Sequence, residues 1–173
     1  MASHAAHHST GWAAGVLAAA LVSQAGGAGH YQQWAILTAC AAAAGGTAPD
    51  WLEQAWWSRG RARWITHRTW THWGLAWLAA LVLAWINLRA HPAASLGVGF
   101  AAGGLMHLLA DWPNPLGVPW LFRHRYSLRW WNSGRCDWLI IVSVWCAALW
   151  VGDRAWWHGH ITAAAVALLR RAG

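Results

Sequence analysis

Between Met1 and Pro49 not one residue carries a formal charge, and this absence constrains the fold more than any other feature of the chain. Soluble domains are about one-quarter charged. Here charged residues make up 10% of 173 and hydrophobic residues 58%. Such a sequence is suited to lipid as its solvent, where a helix satisfies every backbone polar group internally. The Gly-rich segment AGGAGHYQQ divides this stretch into two apolar runs, His8 to Gln24 and Trp34 to Ala48. No Lys/Arg-rich segment precedes the first, so it is expected to stay in the mature protein.

The rest alternates in the same way. A polar loop, Trp51 to Thr69, holds Arg59, Arg61, Arg63 and Arg68, and Trp70 to Leu88 is a second long charge-free stretch. After a turn at Arg89, His91 and Pro92, the run Ala94 to Ala110 carries Gly97, Gly99, Gly103 and Gly104, which permit close helix approach. A Pro-rich loop and a basic segment with Arg123, Arg125, Arg129 and Arg135 lead to Trp138 to Val151 and finally to Ala155 to Leu169. Several runs fall short of the ~20 residues of a full span. The expectation is an all-α, polytopic membrane helix bundle of four to six spans, forming one integral membrane domain over residues 1–173 with no internal repeat.

Six spans place ten of the twelve arginines on alternate loops together with both termini, leaving Arg89 and Arg154 opposite. The positive-inside rule then puts both termini and both Arg-rich loops in the cytoplasm of a bacterium with the chain in its inner membrane. The +7 balance finds its counterpart in anionic lipid headgroups rather than in nucleic acid. Tryptophans at run ends, among them Trp12, Trp70, Trp112 and Trp150, suit the headgroup level. Cys40, Cys136 and Cys146 have no CxxC spacing and make neither a disulfide framework nor a zinc knuckle.

This topology comes from arginine alone, yet it sorts the other ionisable groups too. His7, His8, Asp50, Glu53, His67, His72, His107, Asp111 and Asp137 all fall at the cytoplasmic ends of runs, and Asp153 is the one acid on the far side. His107 and Asp111 are four residues apart, on one helix face, within reach of a shared metal ion. The prolines at 113, 115 and 119 should end that helix. Each group has an ordinary alternative: a solvated His7 or His8, a turn residue at Asp50, a hydrogen-bonded core histidine at His72, Arg59 or Arg135 partnering Glu53 or Asp137. Those alternatives do not predict that all of them share one side. Imidazole and carboxylate without thiolate suit Zn2+ or Mn2+, and five segments supplying one or two ligands each could hold two ions.

PDWLE at Pro49 to Glu53, HRTWTH at His67 to His72, HLLADWPNPLGVPWLF at His107 to Phe122 and RYSL at Arg125 to Leu128 resemble, in order, the motifs of the YdjM-type family of bacterial membrane-bound metal-dependent hydrolases. That family is similar, more distantly, to zinc-dependent phospholipase C. Its second motif usually reads Pro-Asp-x-Asp-His, so Leu52 and Glu53 depart from it. The resemblance implies that Asp50, His67 or His72, His107 and Asp111 are direct ligands, with Glu53 able to ligate and His7 or His8 and Asp137 completing a second site. It implies one to three divalent ions, Zn2+ first and Mn2+ second.

The expected activity is hydrolysis of a phosphoester or lipid-linked substrate at the cytoplasmic membrane face. A metal-activated water would attack, Asp50 would bridge, Asp111 or Glu53 would take the proton, and Arg68 would bind phosphate. Membrane lipids and a small-molecule or lipid substrate are the expected partners. A metal-binding transporter or sensor, and a catalytically degenerate structural membrane protein, stand as alternatives.

Overall fold

The computed structural model describes residues 2–25, 32–57, 70–121, 124–131 and 134–172. Among these lie seven α-helices: α1 (His4–Ala25), α2 (Gln32–Gly45), α3 (Ala48–Trp57), α4 (Gly74–Asn87), α5 (Ala94–Asp111), α6 (Asp137–Trp156) and α7 (His160–Ala172). A 3-10 turn, Trp70–His72, precedes α4. Between α5 and α6 the strands β1 (Val118–Leu121) and β2 (His124–Tyr126) form an antiparallel hairpin pairing Val118 with Tyr126 and Leu121 with His124.

Local chemistry sets the boundaries. Ser3 caps α1, its Oγ accepting the Ala6 N–H at 3.2 Å. α2 ends at a Gly-Gly pair, and α3 restarts at once, with Pro49 in its first turn, where a missing N–H costs nothing, and Asp50 beside it at the positive end of the helix dipole. α5 stops at Asp111, ahead of Pro113.

The core is built around α5, which packs against α1, α2 and α4, while α1 also carries α6. α2 and α5 approach so closely that a Cβ at Gly103 would run into the carbonyl of Ala42, and one at Gly99 into that of Thr38. Small residues such as Ala13, Ala42, Ala101 and Ala110 fill the interior, whereas Leu83, Ile86, Trp138, Leu149 and Leu169 face outward. Small residues at helix contacts and large apolar side chains on the outside match packing in lipid. Two helices, over Ala94–Asp111 and Asp137–Trp156, are long and apolar enough to cross a membrane. α2 and α4 are apolar with 14 residues each, and such a helix covers about 21 Å, short of the ~30 Å hydrocarbon core. A groove of about 510 Å³ between α1, α4 and α5 is lined by apolar side chains, including Leu17, Leu81, Trp85 and Leu105.

Three features differ from the sequence reading. The expected loop from Trp51 is helical through Trp57, because Pro49 and Asp50 start a helix that the following arginines disguise. The charge-free 70–88 stretch becomes helical only at Gly74, since its first three residues are wound into the 3-10 turn, held by the Trp77 Nε1–H donating to the Thr71 carbonyl at 2.7 Å. The Pro-rich segment folds into the β1–β2 hairpin, a small β element within a mostly helical chain.

The start of α1, the α2–α3 junction, the 3-10 turn, the end of α5 and the start of α6 meet at one end of the bundle. The Ala2 N–H donates to Asp111 Oδ1 at 2.8 Å and the Ser3 N–H to Asp137 Oδ2 at 2.6 Å, tying α1 to both α5 and α6. At the other end Asp153 caps α7, accepting the N–H groups of Ile161 at 3.1 Å and Thr162 at 2.9 Å and the Thr162 hydroxyl.

Candidate metal centre

His107 stands at the middle of this convergence, fully buried. Its place follows from α5: Gly103, one turn earlier, lets α2 close in, and the α2 terminus then presents the Gly46 carbonyl to the imidazole. The Nδ1–H donates to that carbonyl at 2.9 Å. This fixes the tautomer and leaves Nε2 as a lone-pair donor, the arrangement metal-binding histidines adopt.

Around Nε2 lie two carboxylates, Asp50 Oδ1 at 3.6 Å and Asp111 Oδ2 at 3.8 Å. Asp50 Oδ1 also lies 3.4 Å from His72 Nε2, and Asp111 Oδ1 lies 3.5 Å from His7 Nε2. The rings of His7 and His107 are stacked at 3.8 Å, and that of His72 stands edge-on to His107 at 5.3 Å. Two groups therefore could hold a metal ion, His7 with His107 and Asp111, and Asp50 with His72 and His107. They share one histidine with a single free lone pair, so His107 can serve one ion at a time.

The spacing is informative. Good hydrogen bonds of this kind measure about 2.7–3.2 Å, and all four contacts are longer. A tetrahedral zinc with ligands at about 2.0–2.1 Å sets its donors about 3.3–3.4 Å apart. His107 Nε2, both ring nitrogens of His7 and Asp50 Oδ1 are buried without a hydrogen-bond partner. Leaving such atoms unmatched costs roughly 1–3 kcal/mol each, and a cation among them would satisfy several at once. The residues present thus fit a divalent metal.

Asp50 is the group closest to solvent, its side chain 29% exposed. Partial burial alone would raise its pKa, but the close approach of His72 and the fields of His107 and His7 outweigh that and hold the carboxyl below the usual range. It is anionic at neutral pH.

The remaining sequence candidates are distributed as follows. Glu53 is buried behind His72, its Oε2 3.8 Å from Nδ1, on the side away from Asp50. His8 is exposed, one residue out of phase with His7, and packs on His4 with ring centroids 4.5 Å apart. Asp137 is buried at the start of α6 and receives the Ser3 N–H, belonging to neither group. His67 and Arg68 lie outside the described residues, as does Arg123. Arg125 is exposed on β2.

Some contributors escape residue-level reading. The Gly46 carbonyl and the Ala2 and Ser3 amides carry no side-chain signal. Thr71 does carry one, standing beside His72 in HRTWTH, and its Oγ1 lies 3.1 Å from His72 Nδ1.

The sequence profile of the YdjM inner membrane protein family matches residues 1–172. No curated protein and no solved structure matches the chain.

Proposed function

The chain belongs to the YdjM inner membrane protein family, and from that premise we propose that it is a membrane-bound, metal-dependent hydrolase acting on a phosphoester at the cytoplasmic face. The observation that carries this reading is the set of donors 3.4–3.8 Å apart at the end of α5: too far for good hydrogen bonds, right for a shared ion, and confined to one end of the bundle. We take the chain as a single integral domain of four to six crossings; with six, the arginine distribution would put both termini inside.

His7, Asp50, His72, His107 and Asp111 would hold the ion or ions, Zn2+ first and Mn2+ second. A bound Zn2+ supplies a water whose pKa falls near neutrality. The chain's own part is positioning. The Gly46 carbonyl would fix the His107 ring, and Thr71 and Glu53 would orient His72. Asp50, the least buried of these side chains, would accept a proton from an incoming water. Asp111, fully buried and tied to the Ala2 amide, is better suited to holding than to proton transfer. Arg68, four residues before His72, would meet a phosphate with its guanidinium fork.

Transport is the weaker reading because transporter sites sit near the bilayer midplane, whereas this cluster sits at helix ends. A degenerate family member is weaker too, since neither donor group needs position 52 or 53.

The test is elemental mass spectrometry of the tag-free protein in detergent beside His107→Ala and Asp50→Asn, followed by hydrolysis of bis-p-nitrophenyl phosphate. One to three equivalents of zinc or manganese in the wild type, lost in His107→Ala and reduced in Asp50→Asn, with turnover lost in both, supports the reading. A wild type that stays metal-free after repletion overturns it.

A further inference from the structure

The β1–β2 hairpin plays no part in the metal cluster, yet its surface is specialised. No Asp or Glu occurs between Asp111 and Asp137, while Arg125, Arg129 and Arg135 are all exposed. Beside them Leu121, Tyr126 and Trp130 are exposed as well, Trp130 to 66%. Cations next to an aromatic and aliphatic rim are what the headgroup layer selects.

The hairpin's position agrees with that composition. It follows α5, a helix long enough to span, and is pinned to its end: the Leu128 N–H donates to the Trp112 carbonyl and the Trp130 N–H to the Pro113 carbonyl, each at 3.1 Å. The Trp120 ring lies against Gly74 at the start of α4, so the hairpin caps two helices at one end of the bundle. Arg129 takes a left-handed backbone, φ 51°, with its N–H on Ser127 Oγ at 3.1 Å, and Ser127 Oγ–H donates to the Asn114 carbonyl at 2.6 Å. A non-glycine residue in that conformation costs roughly 1–2 kcal/mol, so the surrounding bonds hold this stretch to one shape.

We propose that the hairpin is a docking surface for anionic phospholipid headgroups, with Arg125 and Arg129 meeting the lipid phosphate and Trp130 seated at the glycerol level. Charge complementarity commits the surface to an anionic lipid. The proposal needs membership of a membrane family but not a bound metal.

The test titrates the full-length protein in dodecyl maltoside with phosphatidylglycerol or phosphatidylcholine, reads lipid adducts by native mass spectrometry, and measures metal content alongside. The wild type should prefer phosphatidylglycerol, and the preference should shrink as salt rises. Removing each arginine should weaken phosphatidylglycerol binding about fivefold. R125Q/R129Q should therefore lose most of the preference while its metal content and unfolding temperature stay at wild-type values. Equal binding of the two lipids by the wild type, or an undiminished preference in the double variant, overturns the proposal and leaves the surface to a protein partner. Because metal is scored separately, a metal-free protein that still selects phosphatidylglycerol refutes the hydrolase reading alone.

Discussion

The imidazoles of His7 and His107 lie face to face, 3.8 Å between centroids and 14° between planes, with one oxygen of Asp111 directed at each. Two aromatic rings from α1 and α5 thus share one carboxylate. The first helix is part of the cluster and not merely a wall beside it. His8, one position later, turns outward to His4. His7→Ala should therefore lower metal affinity by more than the ~10–100-fold typical of a lost second-sphere partner, and His8→Ala should leave it unchanged. Chelator-competition titrations of both variants decide this, and equal losses would contradict it.

Glu53 behaves differently from Asp50 for a geometric reason. Asp50 faces His72 Nε2, while Glu53 faces the opposite nitrogen of the same ring. A carboxylate behind a ligating histidine orients the ring and raises its basicity. Glu53→Gln, which keeps a hydrogen-bond acceptor, should weaken metal binding by about 10-fold with the stoichiometry intact, whereas Asp50→Asn should remove the ion that Asp50 would hold with His72. Stoichiometry by elemental analysis separates the two roles.

The parts of this site legible in the sequence were those carried by side chains at fixed spacing. His107 and Asp111 lie four apart on one helix, and Pro113 ends that helix, so their placement needed no tertiary information. Asp50 and His72 could be placed at the same end because arginine counting fixes which run ends share a side. The choice between His7 and His8 could not be made, because one residue rotates a helix by about 100° and α1 offers no amphipathic pattern to set its phase. α3 was hidden by the arginines after it, and the hairpin by prolines that mark a turn without revealing that flanking residues pair. The Gly46 carbonyl, which fixes the His107 tautomer, is a backbone group that only the α2–α5 approach brings to the ring.

That approach can itself be tested. Methyl groups added at Gly103 or Gly99 would meet the α2 backbone, which cannot give way as a side chain can, whereas one at Gly97 would meet only the Ala84 methyl. Overpacking of this kind costs typically 1–3 kcal/mol. Gly103→Ala should destabilise by that amount or more in a detergent unfolding titration, with Gly97→Ala smaller. Since α2 also positions Gly46 against His107, Gly103→Ala should in addition lower metal affinity while Gly97→Ala does not.

Removing the metal should reveal how much of the fold depends on it. The cluster joins α1, α3, the Trp70–His72 turn and α5, segments otherwise connected at this end by a few hydrogen bonds, among them the Ala2 amide on Asp111. Without a cation, His107 Nε2 and Asp50 Oδ1 stay buried beside acceptors and donors they cannot properly match. A ligand that binds only the folded state stabilises it by about 2.7 kcal/mol at one hundred times its dissociation constant. Stripping the protein with a chelator should therefore lower its unfolding temperature, and zinc should restore it. The same treatment should leave His107→Ala, already lacking the shared ligand, almost unmoved. A wild type whose unfolding is indifferent to chelator and zinc would mean that these histidines and aspartates hold each other without an ion, and that the end of the bundle is stabilised by packing alone.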